Sequence, residues 1–246
     1  MYTFSSRIRY SEIDADGFLR IPAMIDYLQD CSTFHSEEVG YSAFRLFSEG
    51  YAWVVNAWQI EISRLPRLGD NVILGTIPYE IRGSMGLRNF FMDTAEGERL
   101  VVANSVWSYL NLTKGVMERV PQEMKDAFGT EEKLEMNYLS RKLPFPTEGT
   151  IEDAAPIEIR RENLDTNRHV NNGQFIRLAL DAAFDPLPPV RRIRAEYKKQ
   201  AHLGDVLYPR IHRTADPEET VTIALSDAGG DLCCTVEATL TGGGSH

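Results

Sequence analysis

The sequence contains little cysteine and no long apolar run. Only 3 of its 246 residues are cysteines, and two of these, Cys233 and Cys234, are adjacent, so no disulfide framework is expected. A reducing, cytoplasmic location fits this usage. No apolar stretch approaches the roughly 18 residues of a membrane-spanning helix. The first residues lead directly into strand-like sequence, so no targeting segment is expected either.

Positive charge is also scarce, since 26 Lys and Arg residues against 36 Asp and Glu give a net charge of −10. Such an excess of acid argues against general nucleic-acid binding. The sequence has no His-Glu-x-x-His, Cys-x-x-Cys, Gly-x-Gly-x-x-Gly or Walker motif, so neither a metal nor a cofactor is expected. No Gly-x-Ser-x-Gly motif supplies a serine nucleophile. The single histidines His35, His202 and His212 are interpreted as surface or core residues.

The apolar pattern predicts two cycles of strand, long helix and several further strands. Long helices are predicted at 21–39 and 172–184, with short helices at 41–47 and 121–128. Strands are predicted at 7–13, 51–63, 71–81, 86–94, 100–112, 157–161, 190–200, 205–213, 220–226 and 231–240. A helix wrapped by an antiparallel sheet satisfies this order, which indicates an α+β fold. We expect domains at 1–128 and 151–241, joined by a charged, aperiodic linker at 129–150.

The two cycles resemble each other in sequence. The segment 13–18 aligns with 164–169, which lies 151 positions later, and the segment 68–70 aligns with 203–205, which lies 135 positions later. The difference between the two offsets falls near residues 35–50, where the first cycle has an additional helix and turn. The sequence therefore predicts a duplicated domain.

One polar motif in the second cycle is the principal candidate site. Asp165, Asn167 and His169 occupy alternate positions, and alternate side chains of an extended segment point the same way. Asn171 or Asn172 can cap the following helix, whose first-turn N–H groups and positive dipole would lie beside the three side chains. This combination predicts an acid/base site with an anion-binding corner, suited to attack on a carbonyl.

The same pattern has a plainer interpretation, because Asx residues that precede a helix often serve only as turn and cap residues. In the first cycle Asp14 is retained, but Asp16 and Phe18 replace the Asn and the His. Only the second cycle therefore carries the complete polar set, and the first is expected to act as a binding wall.

The segment 165–172, Asp-Thr-Asn-Arg-His-Val-Asn-Asn, matches without a gap the signature of the acyl-ACP thioesterase family. Segments 53–70, 103–113 and 195–201 resemble further blocks of that family in the same order, so the resemblance spans nearly the whole chain. It implies two tandem hotdog domains, each a long helix wrapped by a curved antiparallel β-sheet. The first would bind the acyl chain, and the second would be catalytic.

The resemblance implies hydrolysis of the thioester between a fatty acyl chain and the phosphopantetheine of acyl carrier protein, which releases free fatty acid. His169 would transfer protons, Asp165 would orient it or act as base or nucleophile, and Asn167 would bind water or the carbonyl oxygen. The family's Glu-Cys pair is Gln200-Ala201 here, which excludes a cysteine nucleophile or a carboxylate at this place. Gln200 can still hold a water or the substrate carbonyl. A homodimer is compatible with the resemblance.

Two further sets of residues follow from the resemblance. Asn172, Met24, Leu28 and Trp58 are candidate substrate-binding residues, although such apolar residues are more often ordinary core. A basic cluster is the candidate docking surface for the acidic carrier protein: Arg191, Arg192, Arg194, Lys198 and Lys199. The alternative is a strand edge that charge protects from pairing with other strands.

Two other functions remain open from sequence. An acyl-CoA thioesterase of the hotdog superfamily would use the same site on a different carrier. A catalytically weak acyl-binding protein is the second alternative, because Gln200 replaces the family's glutamate.

Overall fold

The computed structural model describes residues 1–165, 167–215 and 217–241. The chain divides into two compact units. The first unit comprises Met1–Asn56 and Ile62–Leu139, and the second comprises Ala57–Glu61 and the chain from Ser140 onward. Within the described ranges, no helix is both long enough and apolar enough to cross a membrane.

The first unit packs one long helix against an antiparallel sheet. Its helices are α1 (Ile21–Glu38), α2 (Ala43–Ser48) and α3 (Gln122–Phe128), and its strands are β1 (Tyr2–Arg7), β2 (Tyr51–Ile62), β3 (Asn71–Arg82), β4 (Met85–Thr94), β5 (Arg99–Asn111) and β6 (Val116–Met117). The sheet order is β1-β3-β4-β5-β2, with β6 paired to β5. Pro22 pre-sets the first turn of α1. The helix ends at Glu38 and is followed by Gly40, whose φ of 81° is unfavourable for other residues.

The second unit repeats this arrangement. It contains β7 (Ile151–Asp153), β8 (Ile157–Glu158), α4 (Asn172–Ala183), β9 (Val190–Tyr197), β10 (Val206–Thr214), β11 (Thr220–Ser226) and β12 (Leu232–Leu240). The sheet order is β9-β12-β11-β10-β7, and β8 also pairs with β10. The segment Ala57–Glu61, which belongs to this unit, pairs antiparallel with β9. Apolar residues of α4 at helical spacing, including Phe175, Ile176, Ala179 and Leu180, are buried in the core.

Backbone hydrogen bonds confirm the predicted duplication. The Leu19 N–H donates to the carbonyl oxygen of Pro66 at 2.9 Å, and the Val170 N–H donates to that of Ala201 at 2.9 Å. Val170 lies 151 positions after Leu19, and Ala201 lies 135 positions after Pro66, as the sequence alignment requires. A second pair of hydrogen bonds also corresponds. The Ile8 N–H donates to the Asp70 carbonyl oxygen, and the Ile159 N–H donates to the Asp205 carbonyl oxygen.

Most predicted elements agree with the structure to within a few residues, but the strand predicted at 7–13 is wrong. The first strand ends at Arg7, and Tyr10–Glu12 forms a 3₁₀ turn. The buried Glu12 carboxylate causes the difference, because it accepts hydrogen bonds from the Arg9 N–H at 2.8 Å and the Tyr27 hydroxyl at 2.8 Å. The strand predicted at 157–161 is likewise shortened to Ile157–Glu158.

Residues 129–150 contain neither helix nor strand over their whole described length. The early part contacts the first unit, where the Leu134 N–H donates to Asn89 Oδ1 at 3.0 Å. The later part contacts the second unit, where the Leu143 N–H donates to Glu196 Oε2 at 2.9 Å. The segment therefore follows each unit in turn, with the division between Leu139 and Ser140.

Candidate active site

The candidate motif folds as a tight turn, so its predicted extended conformation is wrong. Asp165 Oδ1 accepts the N–H groups of Asn167 at 2.8 Å and His169 at 3.1 Å. The Asp165 N–H donates to the His169 carbonyl at 2.8 Å, and Arg168 has a φ of 62°. This side-chain-to-backbone bonding draws the chain back on itself, as Asx turns do. Thr166 lies outside the described residues.

The first unit contains the same turn without the histidine. Asp14 Oδ1 accepts the N–H groups of Asp16 at 3.0 Å and Phe18 at 2.9 Å. The aspartate is therefore a turn residue in both units, as the plainer interpretation of the motif proposes. Of the three polar positions of the motif, Asn167 and His169 are the two that differ from the first unit, so chemistry specific to the second motif must come from them.

His169 is half-buried, whereas Asn167 is exposed. Burial lowers the pKa of His169 below its ordinary value, neighbouring His202 lowers this pKa further, and the Asp165 carboxylate opposes both effects. A lowered pKa leaves the imidazole neutral at neutral pH. His169 can therefore accept a proton there, as a general base requires.

His202 is a neighbour of His169 that sequence reasoning missed. Its ring centroid lies 4.9 Å from that of His169, with the rings at 82°, edge to face. An isolated β-bridge joins the two residues, next to the hydrogen bond from Val170 to Ala201. His202 is exposed, as expected of a surface residue, but it is not isolated, because it contacts the motif. The sequence indicates this contact only indirectly, because the duplication aligns His202 with Arg67 and His169 with Phe18. In the first unit the Arg67 guanidinium lies over the Phe18 ring.

Asp205 holds the segment that carries His202. Its Oδ2 accepts the His202 N–H at 2.8 Å and lies 3.6 Å from the imidazole Nδ1. The His202 side chain is 58% exposed, so one face of the histidine pair is open to water. The second unit thus places two imidazoles and two carboxylates around one turn.

Gln200 immediately precedes Ala201 and His202, which contact Val170 and His169. It is exposed and follows the end of β9 by three positions. Glu196 is occupied elsewhere, because its carboxylate accepts the Leu143 N–H and lies 3.6 Å from Lys198 Nζ. These contacts engage the Glu196 carboxylate, so it is not free to substitute for the family's missing glutamate.

The helix that follows the motif begins at the site. Asn171 is the N-cap, and its side chain accepts the Gly173 N–H at 2.7 Å. Asn172 is the first helical residue, is half-buried, and accepts the Tyr197 hydroxyl at its carbonyl oxygen at 2.9 Å. Burial raises the pKa of Tyr197 well above its ordinary value, so this hydroxyl remains a donor. The positive end of α4 therefore starts three residues after His169.

The apolar candidate substrate-binding residues are tightly packed. Met24 and Leu28 of the first unit have no exposed surface, and Trp58 of the second unit is 2% exposed. This burial is what ordinary core residues show, and their contact with an acyl chain stays a prediction. Across the described ranges, no cluster of three or more His, Cys, Asp or Glu residues could hold a metal ion.

The predicted docking cluster is extensively ion-paired. Glu218 pairs with Arg191 and Arg192, Glu237 with Arg194, Glu196 with Lys198, and both Asp227 and Asp231 with Lys199. Arg192 and Arg194 keep only 14% and 15% of their side chains exposed. Arg191, Lys198 and Lys199 are exposed by 36%, 44% and 47% and are the members that a partner could reach.

Comparison with known proteins places this chain in a family. Models of the acyl-ACP thioesterase N-terminal and C-terminal domains match residues 1–128 and 149–236. A palmitoyl-acyl carrier protein thioesterase of Arabidopsis thaliana is 26% identical over 215 residues, covering 81% of this chain and 52% of the relative. An oleoyl-acyl carrier protein thioesterase of the same plant is 24% identical, covering 87% of this chain and 63% of the relative. The chain thus spans about half the length of the first of these relatives.

Solved structures confirm the fold. An acyl-ACP thioesterase from Bacteroides thetaiotaomicron superposes with a TM-score of 0.85 at 20% identity, covering 96% of each chain. A 12:0-ACP thioesterase from Umbellularia californica superposes with a TM-score of 0.79 at 20% identity, again covering 96% of each chain. The expected α+β double-hotdog fold is therefore correct, and on the two domain matches the chain belongs to the acyl-ACP thioesterase family.

Proposed function

We propose that this protein hydrolyses the thioester of fatty acyl-ACP, releasing free fatty acid and carrier protein, and so terminates fatty acid biosynthesis in the cytoplasm. The observation that carries the proposal is the half-buried His169, whose lowered pKa keeps it neutral at the start of α4. The choice of carrier is supported by relatives named as acyl carrier protein thioesterases.

His169 acts as a general base on a water molecule. The water oxygen attacks the thioester carbonyl carbon while the imidazole takes one proton of the water. The resulting oxyanion is stabilised by N–H groups of the first turn of α4 and by the Asn167 amide. When the tetrahedral intermediate collapses, the C–S bond breaks, and the imidazolium returns its proton to the departing thiolate. The products are a carboxylic acid and the carrier thiol.

The remaining site residues act through His169 or on the attacking water. Asp165 fixes the turn through its two backbone hydrogen bonds and favours the protonated imidazole. His202 opposes that effect and offers an exposed neighbour through which protons can exchange with water. Gln200, an amide with both donor and acceptor atoms, orients the water or the carbonyl.

A weak acyl-binding protein is the second candidate function, because Gln200 cannot act as a carboxylate base. An acyl-CoA thioesterase is the third, since the proposed chemistry is the same for both carriers. The test is a panel of acyl-ACP and acyl-CoA substrates of varied chain length, assayed with the parent protein and His169→Ala. We expect higher kcat/KM on acyl-ACP and a loss of about 10²–10⁴-fold in the variant. Equal or better turnover of acyl-CoA would instead assign the CoA carrier, and no turnover above background would assign binding alone.

A further inference from the structure

An arginine lies on the core-facing side of the first unit's sheet. Side chains alternate along β4, so Arg88 shares its face with Phe90 and Met92, which are fully buried. Its Nη1 atom donates to the hydroxyl of the buried Thr76 at 3.4 Å. Burial lowers the pKa of Arg88 to about 10, so the side chain remains a cation at neutral pH.

Arg88 has no anionic partner in the described part of the chain. No carboxylate among those residues lies within the 4.0 Å that defines an ion pair. The neighbouring Cys31 thiol does not compensate, because burial raises its pKa to about 12 and keeps it neutral. A desolvated and unpaired guanidinium is costly to maintain, so its position is favourable for an anion from outside the chain.

A second polar group with unused hydrogen-bonding capacity lies nearby. His35 is only 6% exposed, and its buried Nδ1 has no hydrogen-bond partner among the described residues. Burial lowers the pKa of His35 to about 4, so the ring is neutral and can donate or accept at Nδ1 according to its tautomer. Both groups pack on one ring, since Arg88 Cζ lies 5.4 Å and the His35 ring 5.5 Å from the Phe128 centroid.

The face of α1 that carries His35 is otherwise apolar. Met24, Leu28, Cys31 and His35 recur at spacings of three and four along α1 and therefore occupy one face of the helix. The first three have no exposed surface, so His35 is the polar end of an apolar stripe. A hydrocarbon chain that ends in a negatively charged oxygen group matches both parts of this environment.

We propose that Arg88 and His35 form a binding site for the carboxylate of an aliphatic chain within the first unit. The carboxylate accepts hydrogen bonds from the Arg88 guanidinium, and one oxygen also accepts from His35 Nδ1. Arginine suits this ligand because its N–H groups match the two carboxylate oxygens. The carboxylate comes either from a free fatty acid or from the far end of an acyl chain that is still attached to its carrier. Only this assignment to an acyl ligand rests on the proposed function.

The first experiment measures binding without catalysis, by titration calorimetry with octanoate and 1-octanol. We expect the parent to bind octanoate about ten-fold or more tightly than the alcohol of equal length. Arg88→Leu should remove this preference while leaving octanol binding unchanged, and Arg88→Lys should keep part of it. The control is Arg82→Leu, which removes an exposed arginine of the same unit and should leave the preference intact.

Two results would overturn the site. One is the absence of any preference for octanoate in the parent, and the other is an Arg88→Leu protein that binds octanoate as the parent does or loses both ligands equally. Thermal unfolding without ligand gives an independent check. Because the variant removes an unpaired, partly buried cation, its melting temperature should equal or exceed that of the parent, and a fall of several degrees would assign Arg88 to the fold instead.

The second experiment separates the two sources of the carboxylate. If the ligand is the far end of an acyl chain, Arg88→Leu should reduce kcat/KM about ten-fold for an ω-carboxyacyl thioester but not for its methyl-terminated counterpart. If the ligand is free fatty acid, the variant should instead lose inhibition by added octanoate. A parent protein that hydrolyses no thioester would refute the proposed function, while the calorimetric result would still decide the binding site.

Discussion

The guanidinium carbon of Arg67 lies 4.2 Å from the centroid of the Phe18 ring. The duplication makes these two residues the counterparts of His202 and His169, whose rings contact each other in the second unit. The backbone that supports both pairs is the same, because the same turn and the same interstrand hydrogen bond occur in each unit. The duplicated scaffold therefore brings two side chains together, and only the second unit fills both positions with groups that transfer protons near neutral pH.

This arrangement predicts opposite pH shifts from two substitutions. Asp165 raises the pKa of His169 and His202 lowers it. Asp165→Asn should therefore move the acidic limb of the kcat/KM profile to lower pH, since the base loses its proton more readily. His202→Gln should move the same limb to higher pH. The measurement is the pH profile of kcat/KM for both variants on one thioester. Asp205, which also lies near the histidine pair, is retained in both variants.

If both profiles coincide with that of the parent, His169 is not the titrating base. Shifts in the same direction for both variants would likewise contradict the electrostatic argument. A control with Asp70→Asn changes the counterpart of Asp205 in the first unit and should leave the profile unaltered.

The turn itself gives a prediction on stability. Asp165→Ala removes two hydrogen bonds to backbone N–H groups and should lower the free energy of unfolding by about 1–2 kcal/mol. Asp14→Ala removes the corresponding bonds in the first unit and should have a similar effect on stability. Only the Asp165 variant should also reduce kcat. Denaturant unfolding and steady-state kinetics of the two variants test this difference, which disappears if Asp165 is no more than a turn residue.

Gln200 should act as a positioning group. An amide cannot accept a proton near neutral pH, so Gln200→Ala should lower kcat without changing the pH at which activity falls. Gln200→Glu restores the residue of the family resemblance and should preserve or increase the rate. Lys199→Gln, next to it in the sequence, is a suitable control for kcat because its side chain pairs with Asp227 and Asp231, and any loss of carrier docking would appear in KM. Unchanged kinetics in Gln200→Ala would remove this residue from the site.

The sequence predicted the two long helices well because their apolar residues recur at helical spacing and their ends carry local signals. Pro22 in the first turn of α1 and the Asn171 cap of α4 are such signals. The Asp165 turn was not predictable in the same way. Alternating polar residues are compatible with a strand. The turn forms because the N–H groups of Asn167 and His169 donate to the Asp165 carboxylate.

Long-range contacts explain the other differences. His202 reaches the motif only because the chain after β9 pairs with the motif across many intervening residues. No local pattern distinguishes it from an isolated histidine. Arg88 is a similar case, because a charged residue in a strand is ordinarily exposed, and its desolvation depends on packing by α1 and α3. Sequence patterns therefore predicted elements and the motif, whereas pairing between distant segments determined which side chains meet.

The carrier protein should dock through the exposed part of the basic cluster. Arg192 and Arg194 are mostly buried and ion-paired, so their role is expected to be structural. Arg191 and Lys198 are more exposed, and their reversal to Glu should raise KM for acyl-ACP by about three- to ten-fold, since exposed charge pairs contribute about 0.2–1 kcal/mol each. Hydrolysis of a small pantetheine thioester should be nearly unchanged.

The control for docking reverses two exposed cations of the first unit, Arg119 and Lys133, which changes the net charge by the same amount. If that variant raises KM for acyl-ACP as much as the Arg191 and Lys198 variant does, the effect is one of overall repulsion between two acidic proteins. A docking contact has a further signature, because added salt should slow association of the parent more than that of the Arg191 and Lys198 variant. Equal loss of activity on both substrates would show that Arg191 and Lys198 stabilise the fold. Their ion pairs with Glu218 and Glu196 would then be needed by the second unit.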